Sequence, residues 1–353
     1  MTERIRIIVD ALGGDNAPQA TVEGAVAACR DFGADVLLVG QEDVIAEELG
    51  RHETEGLAIS VKHASEVVGM SDSPVDAFRK KKDSSISVGM RLLADKEGEA
   101  FVSAGNSGAV VAAALFIVKR MQGIDRPAIG TILPNLTGQV LVVDAGANNV
   151  CKAHNITQFA LMGAVYYRAI MQCENPRVGT LSNGSEDSKG TDVLKQVHAN
   201  LKKSSLNYIG YVEGKDVFQG NVDVVACDGF TGNIVLKIAE GVAESMGAAI
   251  KQELRRGLAS KIGYLFSRSA FMRLKKRFDY AEYGGAPLLG VNAPVLIAHG
   301  RSNAYAVKNM IRAAQDFSRQ QVVEHILTDS DIHKDFETVG KKPSIIDRII
   351  HRE

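Results

Sequence analysis

Tryptophan is absent from this 353-residue chain, and aromatic residues make up only 6% of it. A large core must therefore rest on Val, Ile, Leu and Ala, as the interiors of parallel sheets do. Paired cysteines are lacking as well: Cys29, Cys151, Cys173 and Cys227 stand far apart, with no Cys-x-x-Cys spacing. That excludes a zinc ribbon and leaves no disulfide framework, so a reducing cytosol is the expected setting. A charge surplus is missing too. With a formal net charge of -1, the chain lacks the basic domain that binding to a nucleic-acid backbone requires, and nucleic acid is excluded as the main partner. The longest apolar run, Ala109 to Val118, is about half of what a helix needs to cross a bilayer. The opening MTERIRIIVDALGG alternates charged and apolar residues and lacks the uninterrupted stretch of a signal peptide.

Several catalytic signatures are absent. There is no His-Glu-x-x-His, no EF-hand loop and no Gly-x-Ser-x-Gly elbow. The first glycine-rich turn fails the dinucleotide fingerprint: Asp10 and Ala11 stand where the first glycine belongs, Gly13 and Gly14 are adjacent, and Pro18 falls where the helix should open. SAGNSGA (Ser103 to Ala109) lacks the lysine of a nucleotide-binding P-loop. Neither a metal nor a cofactor is called for. His154 and His299 lie near strand-to-helix junctions, but single histidines more often serve as structural partners, and neither is assigned to catalysis.

Hydrophobic residues at 45% and charged residues at 24% fit a folded globular chain. Its length exceeds that at which one core keeps growing, which predicts a single α/β catalytic domain with two lobes over residues 1–327 and a polar tail over 328–353. Short runs rich in β-branched residues predict strands at Ile5 to Asp10, Asp35 to Gly40, Leu57 to His63, Glu99 to Ala104, Ala128 to Leu133, Gln139 to Asp144, Arg177 to Leu181, Asn207 to Val212, Val222 to Asp228 and Pro294 to Gly300. Helical periodicity fills the gaps, notably Gly108 to Lys119, Asn155 to Met171, Gly232 to Met246 and Asn303 to His325. This alternation predicts a three-layer, doubly wound, mostly parallel sheet with ligands at the carboxyl ends of its strands.

Four predicted strand ends carry similar turns: DALGGDNAP (Asp10 to Pro18), SAGNSGA, DAGANN (Asp144 to Asn149) and DGFTGN (Asp228 to Asn233). Each sets small residues beside hydrogen-bonding side chains at the start of a helix, where free N–H groups favour an anion. One such turn could simply let the chain reverse; four together point to a phosphate-handling cleft. Cations for that cleft are offered by FRKKKDSS (Phe78 to Ser85), which contains Lys82, and by Lys189 in SEDSKG. A second basic concentration lies between Lys251 and Arg277, where nine Lys and Arg residues face Glu253 alone. Leu254, Leu258, Ile262, Leu265 and Phe266 recur there at helical spacing, with Phe271, Leu274 and Phe278 forming an offset stripe. Two amphipathic helices joined near Ser267 to Ser269, protruding over about 248–280 and lying on anionic lipid, satisfy that pattern.

DALGGD, SAGNSGA, DAGAN, DGFTGN and LLGVNAPVLIAHGRS (Leu288 to Ser302), in this order, resemble the motifs of the bacterial phosphate acyltransferases that start phospholipid synthesis, the PlsX type. The resemblance runs up to about His325, with Leu12, Ser107 and Ser182 as departures. It implies a fold like those of isocitrate dehydrogenase and phosphotransacetylase, transfer of a fatty acyl group from acyl-[acyl carrier protein] to inorganic phosphate, a homodimer, and peripheral docking on the inner face of a membrane. A phosphotransacetylase-like enzyme using acyl-coenzyme A is the alternative. With that chemistry, Asn106, Asn233 and Lys189 become the candidate catalytic residues. Phosphate binding falls to Ser103, Gly105, Asn106, Ser107, Gly108, Gly229, Thr231, Gly232, Asn233 and Lys82. Asp10, Asp15, Asp144, Asn148 and Asp228 are expected to orient the loops, because carboxylates repel phosphate.

Overall fold

A computed structural model describes residues 5–329, 334 and 335; the expected tail lies mostly outside them. The chain begins β1 (Arg6–Asp10), α1 (Gln19–Phe32), β2 (Asp35–Gly40), α2 (Glu42–Leu49), β3 (Ile59–His63), α3 (Pro74–Lys80), α4 (Ser85–Ala94) and β4 (Ala100–Ser103). Next, α5 (Ser107–Ala113), continued by a π turn (Ala114–Val118), leads to β5 (Ala128–Pro134) and β6 (Gln139–Val143). Then come α6 (Ala153–Met171), β7 (Val178–Leu181), α7 (Asp192–Leu201), β8 (Tyr208–Val212), α8 (Gly214–Gln219) and β9 (Val224–Ala226). Two long helices, α9 (Gly229–Arg255) and α10 (Leu258–Phe278), precede β10 (Ala286–Leu289), β11 (Val295–Ile297), α11 (Ala304–Arg319) and α12 (Val322–Thr328).

Among the described residues the strands form one 11-stranded sheet in the order β3-β2-β1-β4-β11-β10-β5-β6-β9-β7-β8. Pairing is parallel from β3 to β11 and from β6 to β8, while β11-β10, β10-β5 and β5-β6 are antiparallel. The two parallel sets therefore run in opposite directions. Right-handed strand twist of about 20–25° per step, over the four steps from β4 to β6, turns one set by about 80–100° against the other. α9 reaches both sets: it starts just after β9, and its Glu244 meets Arg301 in the loop after β11.

Period-two alternation separates the cores of the first half. Ile8, Leu37, Val39 and Phe101 face one buried cluster, while Ile7, Val9, Val36, Leu38 and Val102 face the other. In the second half, Leu141, Val143 and Val224 pack with α6, whereas Val140, Val142 and Val225 face a cluster that receives Val235 and Leu236 of α9. A strand buried on both faces reads as an unbroken aliphatic run, which is why RIIVD and DVLLVG are legible. The strand absent from the expectation is β10. Its four residues, APLL, are too short for periodicity, and Pro287 argues against a strand.

One helix boundary is a correction. The break in the basic segment falls at Arg256 and Gly257, between α9 and α10, and Ser267 to Ser269 lie within α10. Serine is tolerated in a helix; Gly257 supplies the freedom to end one. Leu254 consequently sits on α9 and is half-buried, while Ile262, Leu265 and Phe266 are exposed on α10, Phe266 at 84%. Leu258 opens α10, and its side chain lies outside the described set.

Two glycines test the packing. A Cβ at Gly89 of α4 would lie 2.3 Å from the ring of buried Phe101, so Gly89→Ala is expected to cost about 1–3 kcal/mol through overpacking. Gly263 of α10 has nothing within 4 Å of its Cβ position, and Gly263→Ala should stabilise by about 0.5–1 kcal/mol. Urea midpoints at constant m-value measure both.

Candidate active site

The four turns assemble as two pairs, each anchored by a buried carboxylate at a strand end. In the first, Asp10 at the end of β1 accepts the Ser103 hydroxyl at 2.7 Å, and that hydroxyl oxygen accepts the Gly105 N–H at 3.0 Å. The Asp15 N–H donates to the Gly300 carbonyl at 2.7 Å, bringing in the loop after β11. Asn16 Nδ2 holds the same loop through the carbonyls of Arg301 and Ser302, both at 3.2 Å. Burial pushes the Asp10 carboxyl above its usual range, against the hydroxyls of Ser103 and Ser85 and the N–H groups of Leu12 and Gly13.

The second pair is tied more tightly. Asp144 Oδ1 accepts the N–H groups of Ile129, Gly146 and Ala147 at 2.9, 3.2 and 3.0 Å. Its Oδ2 accepts Asn148 twice, from the backbone at 2.7 Å and from Nδ2 at 2.9 Å. Asn148 in turn offers its carbonyl to the Gly229 N–H at 2.8 Å, locking DAGANN onto DGFTGN. The glycines allow this contact: a Cβ would fall 1.9 Å from the Asp144 carbonyl at Gly232, and 2.7 Å from its carboxylate at Gly229. Asp228 then caps α9, accepting Thr231 N–H at 2.9 Å and the Thr231 hydroxyl at 2.8 Å. Burial raises the Asp144 carboxyl as well, opposed by its Ala147 and Asn148 donors.

α9 connects the pairs. It starts in DGFTGN, and about four turns along, its Glu244 receives the guanidinium of Arg301 from the loop after β11. His299 of that loop sits in the field of Lys237 and Glu240 on α9 and of Asp15 in the first turn. Burial first, and Lys237 second, hold its imidazole below its ordinary value. A cavity of about 420 Å³ beside the first turn is lined by Asp15, Asn16, Pro18, Glu47, Glu48 and Arg51 among others. Carboxylates dominate that lining, which makes it a poor seat for an anion.

Several residues expected to touch phosphate are instead committed to the scaffold. Ser103 is 0% exposed and spends its hydroxyl on Asp10. The Gly105 and Gly229 N–H groups already have acceptors, the Gly232 N–H serves the Asp228 carbonyl, and Thr231 serves Asp228. Asn106, 8% exposed, caps α5 through Oδ1 to the Ala109 N–H at 3.0 Å. Its Nδ2 donates to the carbonyls of Gly69, Met70 and Asp72 at 3.2, 3.2 and 3.0 Å, leaving that amide no part as an oxyanion donor. Ser107 is exposed and Gly108 half-exposed at the start of α5, where first-turn N–H groups lack intrahelical acceptors. Asn233 and Lys189 are likewise exposed, Lys189 on the loop after β7, beside β9.

Lys82 is exposed, and its carbonyl accepts Arg91 at 2.9 Å. Its neighbour Lys81 is the cation that reaches the site's scaffold. It pairs with Asp72 at 2.6 Å and donates to the Val67 carbonyl at 2.8 Å, fixing the loop that Asn106 grips. Lys81 and Arg301 were not singled out from sequence, and His299 was named there without a role. Within a run of four cations nothing local marks the inward one, and the significance of the last two depends on a helix some sixty residues earlier. Among the described residues no cluster of His, Cys, Asp and Glu could hold a metal ion.

The Asp144 anchor can be measured. Asp144→Ala leaves several N–H groups of a buried turn without acceptors and should cost about 3 kcal/mol or more. Asp144→Asn keeps one oxygen in place and should cost less, by urea denaturation of each.

The family model described as "Fatty acid synthesis protein" matches residues 5–325. A phosphate acyltransferase of Geotalea daltonii is 54% identical over 323 residues, covering 92% of this chain and 93% of the relative. Another from Geotalea uraniireducens is 56% identical over 318 residues, covering 90% and 92%. Among solved structures, a phosphotransacetylase from Streptococcus pyogenes superposes with a TM-score of 0.59 at 16% identity, covering 92% of this chain and 95% of that one. The EutD phosphotransacetylase of Staphylococcus aureus gives 0.56 at 17%, covering 89% and 94%. A 4-hydroxythreonine-4-phosphate dehydrogenase from Klebsiella pneumoniae gives 0.52 at 13%, covering 90% and 98%. These low identities speak for the fold alone, and the expected phosphotransacetylase-like and dehydrogenase-like α/β architecture is borne out. With a family match along nearly the whole described chain and relatives more than half identical over nine-tenths of it, the chain belongs to the fatty acid synthesis family of phosphate acyltransferases and is an acyltransferase.

Proposed function

We propose that the enzyme transfers a fatty acyl group from an acyl-[acyl carrier protein] thioester to inorganic phosphate, yielding acyl phosphate and the free carrier thiol. A phosphate oxygen attacks the thioester carbonyl carbon, the C–O bond forms, the C–S bond breaks, and sulfur leaves as a thiolate. Phosphate is already anionic at neutral pH and a thiolate, with a reference pKa of about 8.5, leaves readily. Neither a covalent nucleophile nor a cofactor is required of the protein. Its task is to hold phosphate in line and stabilise the oxyanion.

The observation that carries this reading is that α9 starts in the second turn pair and, through Lys237, Glu240 and Glu244, reaches the loop that the first pair holds, with Ser107, Gly108, Asn233 and Lys189 left uncommitted by the scaffold. We assign phosphate to the Ser107 and Gly108 N–H groups and Asn233, with Lys189 balancing charge. Asn106 is reassigned to positioning. Asn233→Ala is expected to lower kcat by about a hundredfold or more with the fold intact. Asn106→Ala should instead cost about 0.5–2 kcal/mol of stability through its lost cap. Rates with carrier-protein and coenzyme A thioesters, followed by acyl phosphate formed, separate the carrier reading from the acyl-coenzyme A alternative suggested by the phosphotransacetylase neighbours.

No helix among the described residues is long and apolar enough to cross a membrane. Exposed Ile262, Leu265 and Phe266 on basic α10 support peripheral binding to the anionic inner face of the cytoplasmic membrane. On α9, exposed Phe230, Ile234, Ile238, Val242, Met246 and Ile250 recur every four residues, a stripe suited to a homodimer. Leu265→Glu with Phe266→Glu should release the protein from phosphatidylglycerol vesicles while sparing turnover of soluble substrate. Retention on vesicles would remove α10 from membrane binding.

A further inference from the structure

The FRKKKDSS run has its inward member in Lys81, which leaves Arg79, Lys80 and Lys82 exposed at the C-terminal end of α3. Arg91 of α4, also exposed, lies against the same stretch through its bond to the Lys82 carbonyl. Beside these cations stands an apolar centre. Phe78 stacks on Phe116 of the π turn at 4.9 Å between centroids and 15° between planes, and Phe116 remains 61% exposed. Val75 of α3 is exposed as well. An aromatic pair held rigid by stacking and rimmed by cations has the composition of a protein-docking patch.

Its position ties it to the candidate site. The N-terminal end of α3 touches the SAGNSGA turn: a Cβ at Gly108 would meet Pro74 at 2.5 Å. From Pro74 to Lys80 the helix rises about 9 Å, so the basic end stands roughly two turns from the N-terminus of α5. An arm from a protein seated there needs to span only that distance to bring its thioester to Ser107 and Gly108.

We propose that the surface formed by Arg79, Lys80, Val75 and Phe116 docks the acidic face of the protein that carries the acyl group as a thioester. This rests on the acyl-carrier reading above and names the place where that partner lands. Charge complementarity selects an acidic partner: Arg79, Lys80, Lys82 and Arg91 outnumber the exposed carboxylates among them, Asp76, paired with Lys80 at 3.9 Å, and Asp83, held by Ser65 at 2.6 Å. A lipid surface suits the patch less well. It has no long apolar stripe to bury in acyl chains, and Phe116 is stacked on its neighbour.

The test uses the full chain with Arg79→Glu and Lys80→Glu combined, and Arg268→Glu with Arg273→Glu on α10 as a control. Titration calorimetry measures binding of an acyl carrier thioester, and steady-state assays measure KM for that thioester and for phosphate. The α3 double variant should weaken carrier binding and raise its KM about tenfold or more, with kcat and the phosphate KM within twofold. The difference from wild type should shrink in high salt. The milder Arg79→Gln with Lys80→Gln pair, checked for an unchanged melting temperature, should show a smaller shift in the same direction.

Carrier affinity unchanged in the α3 variant overturns the proposal, as does a loss on α10 reversal that α3 reversal fails to produce. So does a weakened hold on phosphatidylglycerol vesicles without any change in carrier affinity, which would make the patch a lipid site. Failure of the reaction itself is distinguishable. Wild type would then form no acyl phosphate, while the calorimetric comparison of wild type and variant would still decide the docking surface.

Discussion

A carboxylate with no solvent around it and five N–H donors aimed at it holds the site together. Asp144, directly after β6, is fully buried, and its two oxygens gather the N–H groups of Ile129, Gly146, Ala147 and Asn148 and the Asn148 side chain. An isolated buried charge would be prohibitively costly; convergent donors offset that cost and make the turn rigid. Asn148 passes the constraint to the first residue of α9, and Gly229 and Gly232 let the helix lie against the anchor without a Cβ between. The direction of α9, and with it the placement of Asn233, depends on this contact.

Asp10 plays the corresponding part in the first half, gathering Ser103 and, through it, Gly105. These acids surround a proposed anion site without entering it. A carboxylate exposed to phosphate would repel it, whereas one already saturated with donors spends its charge on the loops and lets neighbouring N–H groups present their positive ends outward. Sheet twist supplies the remaining condition by letting oppositely directed strand sets serve one helix.

Much of the fold was legible because doubly buried strands read as aliphatic runs ending in small residues, as in DVLLVG and QVLVVD. β10 was not, since four residues carrying a proline offer neither period nor length. The motif turns were found, but the division of labour inside them was hidden. SAGNSGA contains two serines of identical chemistry; Ser103 is sealed under Asp10, while Ser107 is exposed one residue beyond the cap. Likewise Asn106 and Asn233 look equivalent as amides, and only the carbonyls of Gly69, Met70 and Asp72, supplied by a loop more than thirty residues away, commit the first to structure. Such assignments depend on which partner arrives from a distant part of the chain.

Everything functional depends on an anion settling between the start of α5 and the start of α9. The most direct measurement is diffraction from crystals soaked in tungstate, an electron-dense mimic of phosphate. Density within hydrogen-bonding distance of the Ser107 or Gly108 N–H and of Asn233 is the expected result. Density confined to the Arg51 cavity beside the first turn, or none near Asn233 at saturating tungstate, would contradict it.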